Sequence, residues 1–183
     1  AVLFTAHTLY RIGSEGMELK NEVTNNSGLE TIARVGQSFC LPAAFDTLTW
    51  YGKGPWETYA DRKDAALIGL YTSSVAEQHV PFAVPCECGG HEDTRFAALS
   101  DGTHTVQIVG SDDFHFSALP YSIAEYRKAT YEEELPEHTT GTWLILDVAH
   151  AGLGGDTGWT KNIHPEYRVC KGRYSYTFRF HFA

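Results

Sequence analysis

The sequence predicts an all-β fold, a large sandwich of antiparallel strands with one short helix, and three observations carry that prediction. From residue 174 to 182, Tyr174, Tyr176, Phe178, Phe180 and Phe182 alternate with Ser175, Thr177, Arg179 and His181. A period of two puts all five rings on one side of a strand, whereas a helix would scatter them around its surface. Short alternating stretches recur between Gly-, Pro- and Asn-containing turns, without the strand–helix–strand rhythm of a parallel sheet. The composition agrees: ten Phe, ten Tyr and four Trp among 183 residues, with seventeen Gly and seven Pro, suit an aromatic-rich β protein.

Taken in order, Met17, Leu19 and Val23 alternate with Glu18, Lys20 and Glu22, a half-buried strand. Asn25-Asn26-Ser27-Gly28 reads as a turn into a second strand over 30–39, so 15–39 is expected to be a hairpin. Phe45 to Tyr51 forms the next strand, ended by Gly52, Gly54 and Pro55, with an irregular loop to Tyr59. Asp61 to Tyr71 fits a helix start or a strand, and Gly69 with the aromatic end favours strand. Pro81 and Pro85 argue against a central strand after it. Gly89-Gly90 is read as a tight turn before a strand over 94–100, and Val106, Ile108, Phe114 and Phe116 continue the alternation beyond Asp101-Gly102. One helix is expected at 123–130, with Ser122 as N-cap and Glu125 completing a capping box. Residues 142–150 read as a buried strand. The count is about ten strands and one helix, in a single domain over 1–183.

A net charge of −9 without a Lys/Arg cluster excludes a nucleic-acid partner. No apolar run approaches the length of a membrane span, so no membrane partner is expected. Cys40, Cys86, Cys88 and Cys170 are too few and too unevenly spaced for a disulfide framework and are expected to be free thiols. The opening residues carry no initiator methionine and read as the interior of a longer chain.

Chemistry is sparsely signalled. Glu87, Glu92 and Asp93, beside His91, are the candidate carboxylates, but nothing sets two of them across a pocket, and a solvated acidic turn is the expected state. No Gly-x-Ser-x-Gly elbow, phosphate loop or His-Glu-x-x-His pair occurs; catalytic residues and metal ligands are therefore assigned to none. Two segments stand out. In Trp50 to Arg62, two glycines and a proline shape a backbone bearing Trp56, Glu57, Tyr59, Asp61 and Arg62. It is either a loop held by an Asp61–Arg62 or Glu57–Arg62 contact, or a rim that shapes a sugar cleft. Most of its aromatics are expected to be covered. The other segment, Gly152-Leu-Gly-Gly-Asp-Thr-Gly-Trp159, sets one large ring on a glycine-rich bend after a buried strand. An indole face suits the axial C–H groups of a pyranose; the plain alternative is that Trp159 only closes the rim of the sheet.

These segments resemble the C-terminal domain, or small chain, of the large bacterial β-galactosidases of glycoside hydrolase family 2. Trp50 to Arg62 resembles the family's Gly-Pro-aromatic-acid and Asp-Arg signature, Pro85 to Arg95 its Pro-x-Glu-x-Gly element, and Phe114 to Tyr121 with Glu125 its aromatic strand and helix start. Asp147 to Trp159 followed by His164-Pro165-Glu166-Tyr167 resembles its Gly-Gly-Asp-x-x-Trp run and sequel. The similarity runs in order from about residue 8 to the end. It implies a galactose-mutarotase-like supersandwich beside a catalytic (β/α)8 barrel, on the same chain or on a large chain. It also implies that the two catalytic glutamates and the magnesium and sodium sites belong to that barrel, leaving no cofactor in this domain. Trp159 matches the tryptophan that stacks on the galactoside, and Asp156 the acid of the Gly-Gly-Asp element; Trp56, Glu57 and Arg62 are rim or structural residues. Thr157 and Gly158 stand where the family often has Asp and Ser, so the rim geometry departs from the pattern. The implied whole enzyme is a homo-oligomer of the cytoplasm or periplasm hydrolysing terminal β-D-galactosides such as lactose. Family domains begin further upstream, so missing first strands and an exposed sheet edge are expected. A stand-alone carbohydrate-binding module and a mutarotase-like epimerase, the latter needing a glutamate base and a histidine acid facing a cleft, are the alternatives.

Overall fold

The structure is a computed structural model and describes residues 2–137, 139, 141–154 and 162–183. Its longest strand, β7 (Thr105–Leu119), organises the rest. Along one edge β7 carries β6 (Gly90–Ser100), then β4 (Thr47–Gly54) and β5 (Leu67–Ser74), all antiparallel. The other edge of β7 divides. Its first part, Val106–Gly110, pairs with β9 (Arg173–Phe182), which carries β2 (Gly16–Asn25) and then β1 (Phe4–Gly13). Its last part, His115–Leu119, pairs with β8 (Thr142–His150), which carries β3 (Arg34–Leu41). The two branches face each other: Phe39 of β3 meets Phe180 of β9 edge-on, with ring centroids 5.1 Å apart.

Between these layers lies the main core. Leu19, Leu48, Trp50, Leu99, Ile108, Phe116, Leu144, Leu146 and Phe178 are all but fully buried in one cluster. At about 1.5–3 kcal/mol for each fully buried large apolar side chain, these residues dominate the stability of the sheet. The expected strands at 17–23, 104–109, 143–148 and 174–182 each place a face in this cluster. A smaller cluster, Cys88, Leu119, Tyr126 and Leu135, packs beneath α1 (Ile123–Lys128). Both halves of the Ser122/Glu125 capping box are made, but α1 ends two residues early, with Ala129 extended. Fold class and helix follow the sequence reading, and all four cysteines are free, with Cys88 buried.

Several local expectations are corrected. Residues 15–39 are not a hairpin: β2 pairs with β1 and β9, and β3 with β8. A turn-like Asn-Asn-Ser-Gly sequence says that the chain bends, not which strand it meets afterwards. β1 went unread because nine of its ten residues are exposed on one face or the other, which erases the alternation. Gly90 opens β6 rather than closing a turn, and the left-handed backbone falls on Gly89 alone, at φ +65°. β1, β5 and β3 are the outer edges of the described sheet, and Leu9 and Ile12 of β1 and Leu67 and Leu70 of β5 are exposed.

Candidate functional site

After β4 the chain turns through a cis Gly54–Pro55 bond. Of the four aromatics expected mostly to be covered, Trp50 and Tyr59 are buried, whereas Tyr51 and Trp56 are exposed, Trp56 by 60%. Arg62 pairs with Glu57, the second of the two contacts anticipated, and the other oxygen of Glu57 accepts the Gly89 amide at 2.8 Å. Trp56, Glu57 and Arg62 thus come together, lining an open cleft of about 660 Å³ with Asp61, Gln78 and Gly89.

Asp61 takes a different part. Its carboxylate accepts the amides of Leu153 at 3.0 Å and Gly154 at 2.6 Å, fastening the start of the glycine-rich segment to the rim. Gly152 permits that approach, since a Cβ there would lie 2.6 Å from the Asp61 carboxylate and 3.0 Å from Tyr167. The amide of Gly152 donates to the Tyr167 carbonyl at 3.0 Å, so the 162–167 segment backs the bend. Asp156 and Trp159 lie outside the described residues.

Behind the rim is a buried ionic cluster. A β-bulge in β6 sets Glu92 and Asp93 opposite the single residue His115 of β7, and Asp93 adopts φ +51°. The bulge turns Glu92 inward, and its carboxylate meets His115 Nδ1 at 2.9 Å. The expected solvated acidic turn is therefore wrong for Glu92, whose side chain is also within 3.7 Å of Lys63. Burial raises the Glu92 carboxyl, against the attraction of Lys63. His115 stacks on His150 of β8 with centroids 4.5 Å apart, under the ring of Tyr59. Burial drives the His115 imidazole well below its ordinary range, so it is neutral. Glu87 reaches His150 Nε2 at 3.6 Å and Arg34 at 2.7 Å. Burial opposes its charge, but His150 and Arg34 more than offset this and hold Glu87 below the usual carboxylate range. Arg34 also approaches Asp147 at 3.4 Å, and burial lifts Asp147 to about 6 despite that cation. Gly36 leaves the space Asp147 occupies, because a Cβ there would sit 2.1 Å from its carboxylate oxygen.

Sequence reading did not bring Arg34, Glu87, His115, Asp147 and His150 together, since β3, the 86–89 segment, β7 and β8 supply them separately. One signal was present: Asp147 and His150 interrupt an otherwise apolar strand, and buried polar groups require partners. The two Glu–His pairs do not form an open acid–base site, because the side chains of His115 and His150 are only 3% exposed.

Comparison with known proteins shows the family of the chain. A relative from Priestia megaterium named beta-galactosidase is 35% identical over 178 residues, covering 97% of this chain and 17% of the relative. One from Vibrio cholerae with the same name is 38% identical over 164 residues, covering 90% of this chain and 15% of the relative. The chain therefore spans about one sixth of the length of these curated relatives. Among solved structures, a protein from Escherichia coli described as an aldose 1-epimerase superposes with a TM-score of 0.48 at 8% identity, over 98% of this chain and 60% of its own. The sequence profile of the family described as beta galactosidase small chain matches residues 1–180, and the chain belongs to that family.

Proposed function

We propose that this chain is the non-catalytic rim domain of a β-galactosidase that hydrolyses terminal β-D-galactosides such as lactose. The observation that carries this reading is the pairing of near-complete coverage of the chain with coverage of about one sixth of relatives named beta-galactosidase. On this reading a (β/α)8 barrel elsewhere in the protein supplies the nucleophile and the acid/base of a retaining hydrolase, with magnesium and sodium at its active centre. The whole enzyme is a homo-oligomer. Trp159 stacks on the galactosyl ring, Asp156 shapes its loop, and Trp56, Glu57 and Arg62 form or brace the adjoining rim. The clamp of Asp61 on Leu153 and Gly154 supports this assignment, since a stacking ring needs a rigid root.

The test is Trp159→Ala in the intact enzyme. Loss of a stacking face of about 1–3 kcal/mol raises KM roughly five- to 150-fold, with the urea midpoint nearly unchanged. A normal KM with a strongly lowered midpoint removes Trp159 from the sugar site. The purified chain alone shows no hydrolysis of a chromogenic β-galactoside; activity surviving repurification overturns the non-catalytic assignment.

A further inference from the structure

The geometry points to a divalent transition-metal site, of the kind that takes Zn²⁺, formed by Glu87, His115 and His150 in the cluster behind the rim. One oxygen of Glu87 and one ring nitrogen of each histidine lie within 4.8 Å of one another. Second-sphere contacts fix which nitrogens face inward. His115 Nδ1 lies 2.9 Å from the Glu92 carboxylate and His150 Nδ1 lies 2.7 Å from the Ala151 carbonyl. Both partners are acceptors, so each Nδ1 carries a proton, and in the neutral rings that a metal would bind each Nε2 presents its lone pair. A carboxylate or carbonyl on the far nitrogen is the arrangement that orients a metal-bound imidazole and raises its basicity.

What lies between those lone pairs is unusual. His115 Nε2 is buried and has no hydrogen-bond partner, in a residue 4% exposed. His150 Nε2 sits 3.6 Å from the oxygen of Glu87. With both rings neutral, two lone pairs and a carboxylate converge on one point, an arrangement that a bound cation would satisfy. Arg34 binds the same oxygen of Glu87 at 2.7 Å and reaches toward Asp147, which leaves His115 Nε2 still without a partner. Two imidazole nitrogens and one carboxylate oxygen suit zinc, with water as fourth ligand. Bonds of about 2.0–2.2 Å require the three atoms to draw closer than they stand, and the partly exposed Glu87 side chain has room to do so. It lines an open cleft of about 440 Å³ with Cys86 and Arg34, while His150 lines a second cleft of about 490 Å³ with Tyr167; either gives the ion a way in. The site is independent of the barrel metals in the function proposed above, and the sequence spacing carried no sign of it.

The experiment titrates the chelator-treated 183-residue chain with Zn²⁺ and, separately, Co²⁺. The expected result is one equivalent bound, a higher melting temperature with zinc, and the visible bands of tetrahedral nitrogen- and oxygen-ligated Co(II). Glu87→Gln, which retains the shape and an acceptor for Arg34, and His150→Gln each abolish the visible bands. Glu92→Gln weakens binding about 10–100-fold by freeing the His115 ring. Cys86→Ser leaves binding unchanged. Absence of stoichiometric binding overturns the site, as does binding that survives Glu87→Gln or His150→Gln. A near-ultraviolet thiolate band on Co(II) also overturns it, by moving the ion to cysteine. The wild-type cobalt spectrum decides even where a variant fails to fold, and none of these readouts depends on galactosidase activity.

Discussion

His91 sets a pH dependence of stability that can be worked out from its surroundings. It is fully buried on β6 between Trp50, at a centroid distance of 4.2 Å, and Phe116, at 5.3 Å. Burial in this aromatic slot pushes the imidazole down to about 3, while the Lys53 carbonyl, 3.2 Å from Nδ1, pulls the other way. The neutral ring donates from Nδ1 to Lys53. Nε2 lies 2.6 Å from Gln78 Oε1, whose amide nitrogen donates to Ser73; the neutral ring accepts there once that amide is turned over, its nitrogen toward His91 and its oxygen accepting from the Ser73 hydroxyl. In the unfolded chain a histidine titrates near 6.5. The folded value is the lower one, so His91's contribution is fully present above 6.5 and is lost as pH falls toward 3. Each pH unit in that window removes about 1.4 kcal/mol, or about 3 kcal/mol between pH 6.5 and 4.5. His115, also depressed, acts in the same direction. Asp147, raised to about 6, acts in the opposite one, stabilising the fold as acid neutralises it. The useful readout is therefore a difference, obtained from urea midpoints of the wild type and His91→Gln at pH 7.5 and pH 4.5. The variant is less stable at pH 7.5, where it loses ring packing, and the gap closes by about 3 kcal/mol at pH 4.5. A gap independent of pH would refute the claim that His91 is held neutral.

Two further outcomes follow from particular contacts. Asp61→Ala frees the Leu153 and Gly154 amides, so hydrogen exchange at 152–154 accelerates while global stability falls by only about 1–2 kcal/mol; unchanged exchange there would dismiss the clamp. Gly36→Ala drives a Cβ to within 2.2 Å of the Leu146 carbonyl and costs about 1–3 kcal/mol or more, and a loss below about 0.5 kcal/mol would show that β3 yields freely.

The elements legible in the sequence were those with one dry face. β9 and β8 were readable because their neighbours on both sides are sheet, and five rings or a run of Leu and Ile record that fact directly. α1 was readable from a cap whose hydrogen bonds are local. Pairing was not readable: the contact of β2 with β9 spans most of the chain, and no turn residue encodes it. The same reason hid the ionic cluster. Glu92 reads as surface until the bulge turns it toward His115, and His115 reads as one polar residue between two phenylalanines until β8 brings up His150. At the rim, Trp56, Glu57 and Arg62 were recognisable because they are close in sequence, whereas Asp61's partners lie more than ninety residues away.

The place of β9 between β2 and β7 has a consequence for how the protein is made. Of the described strands, β1 and β2 are made before the others and can close on each other at once, yet their strand pairing with the rest of the described sheet runs through β9. The β1–β2 hairpin must therefore wait for β9, with Leu19 and Met17 lacking their cover of Tyr176, Phe178 and Phe180 until that strand is made. A nascent chain halted before residue 173 holds an unseated apolar ribbon, the form most open to chaperone capture or mispairing. Loss of residues 173–182 would unfasten strands more than 140 residues earlier, and protease sensitivity would rise first in β1 and β2.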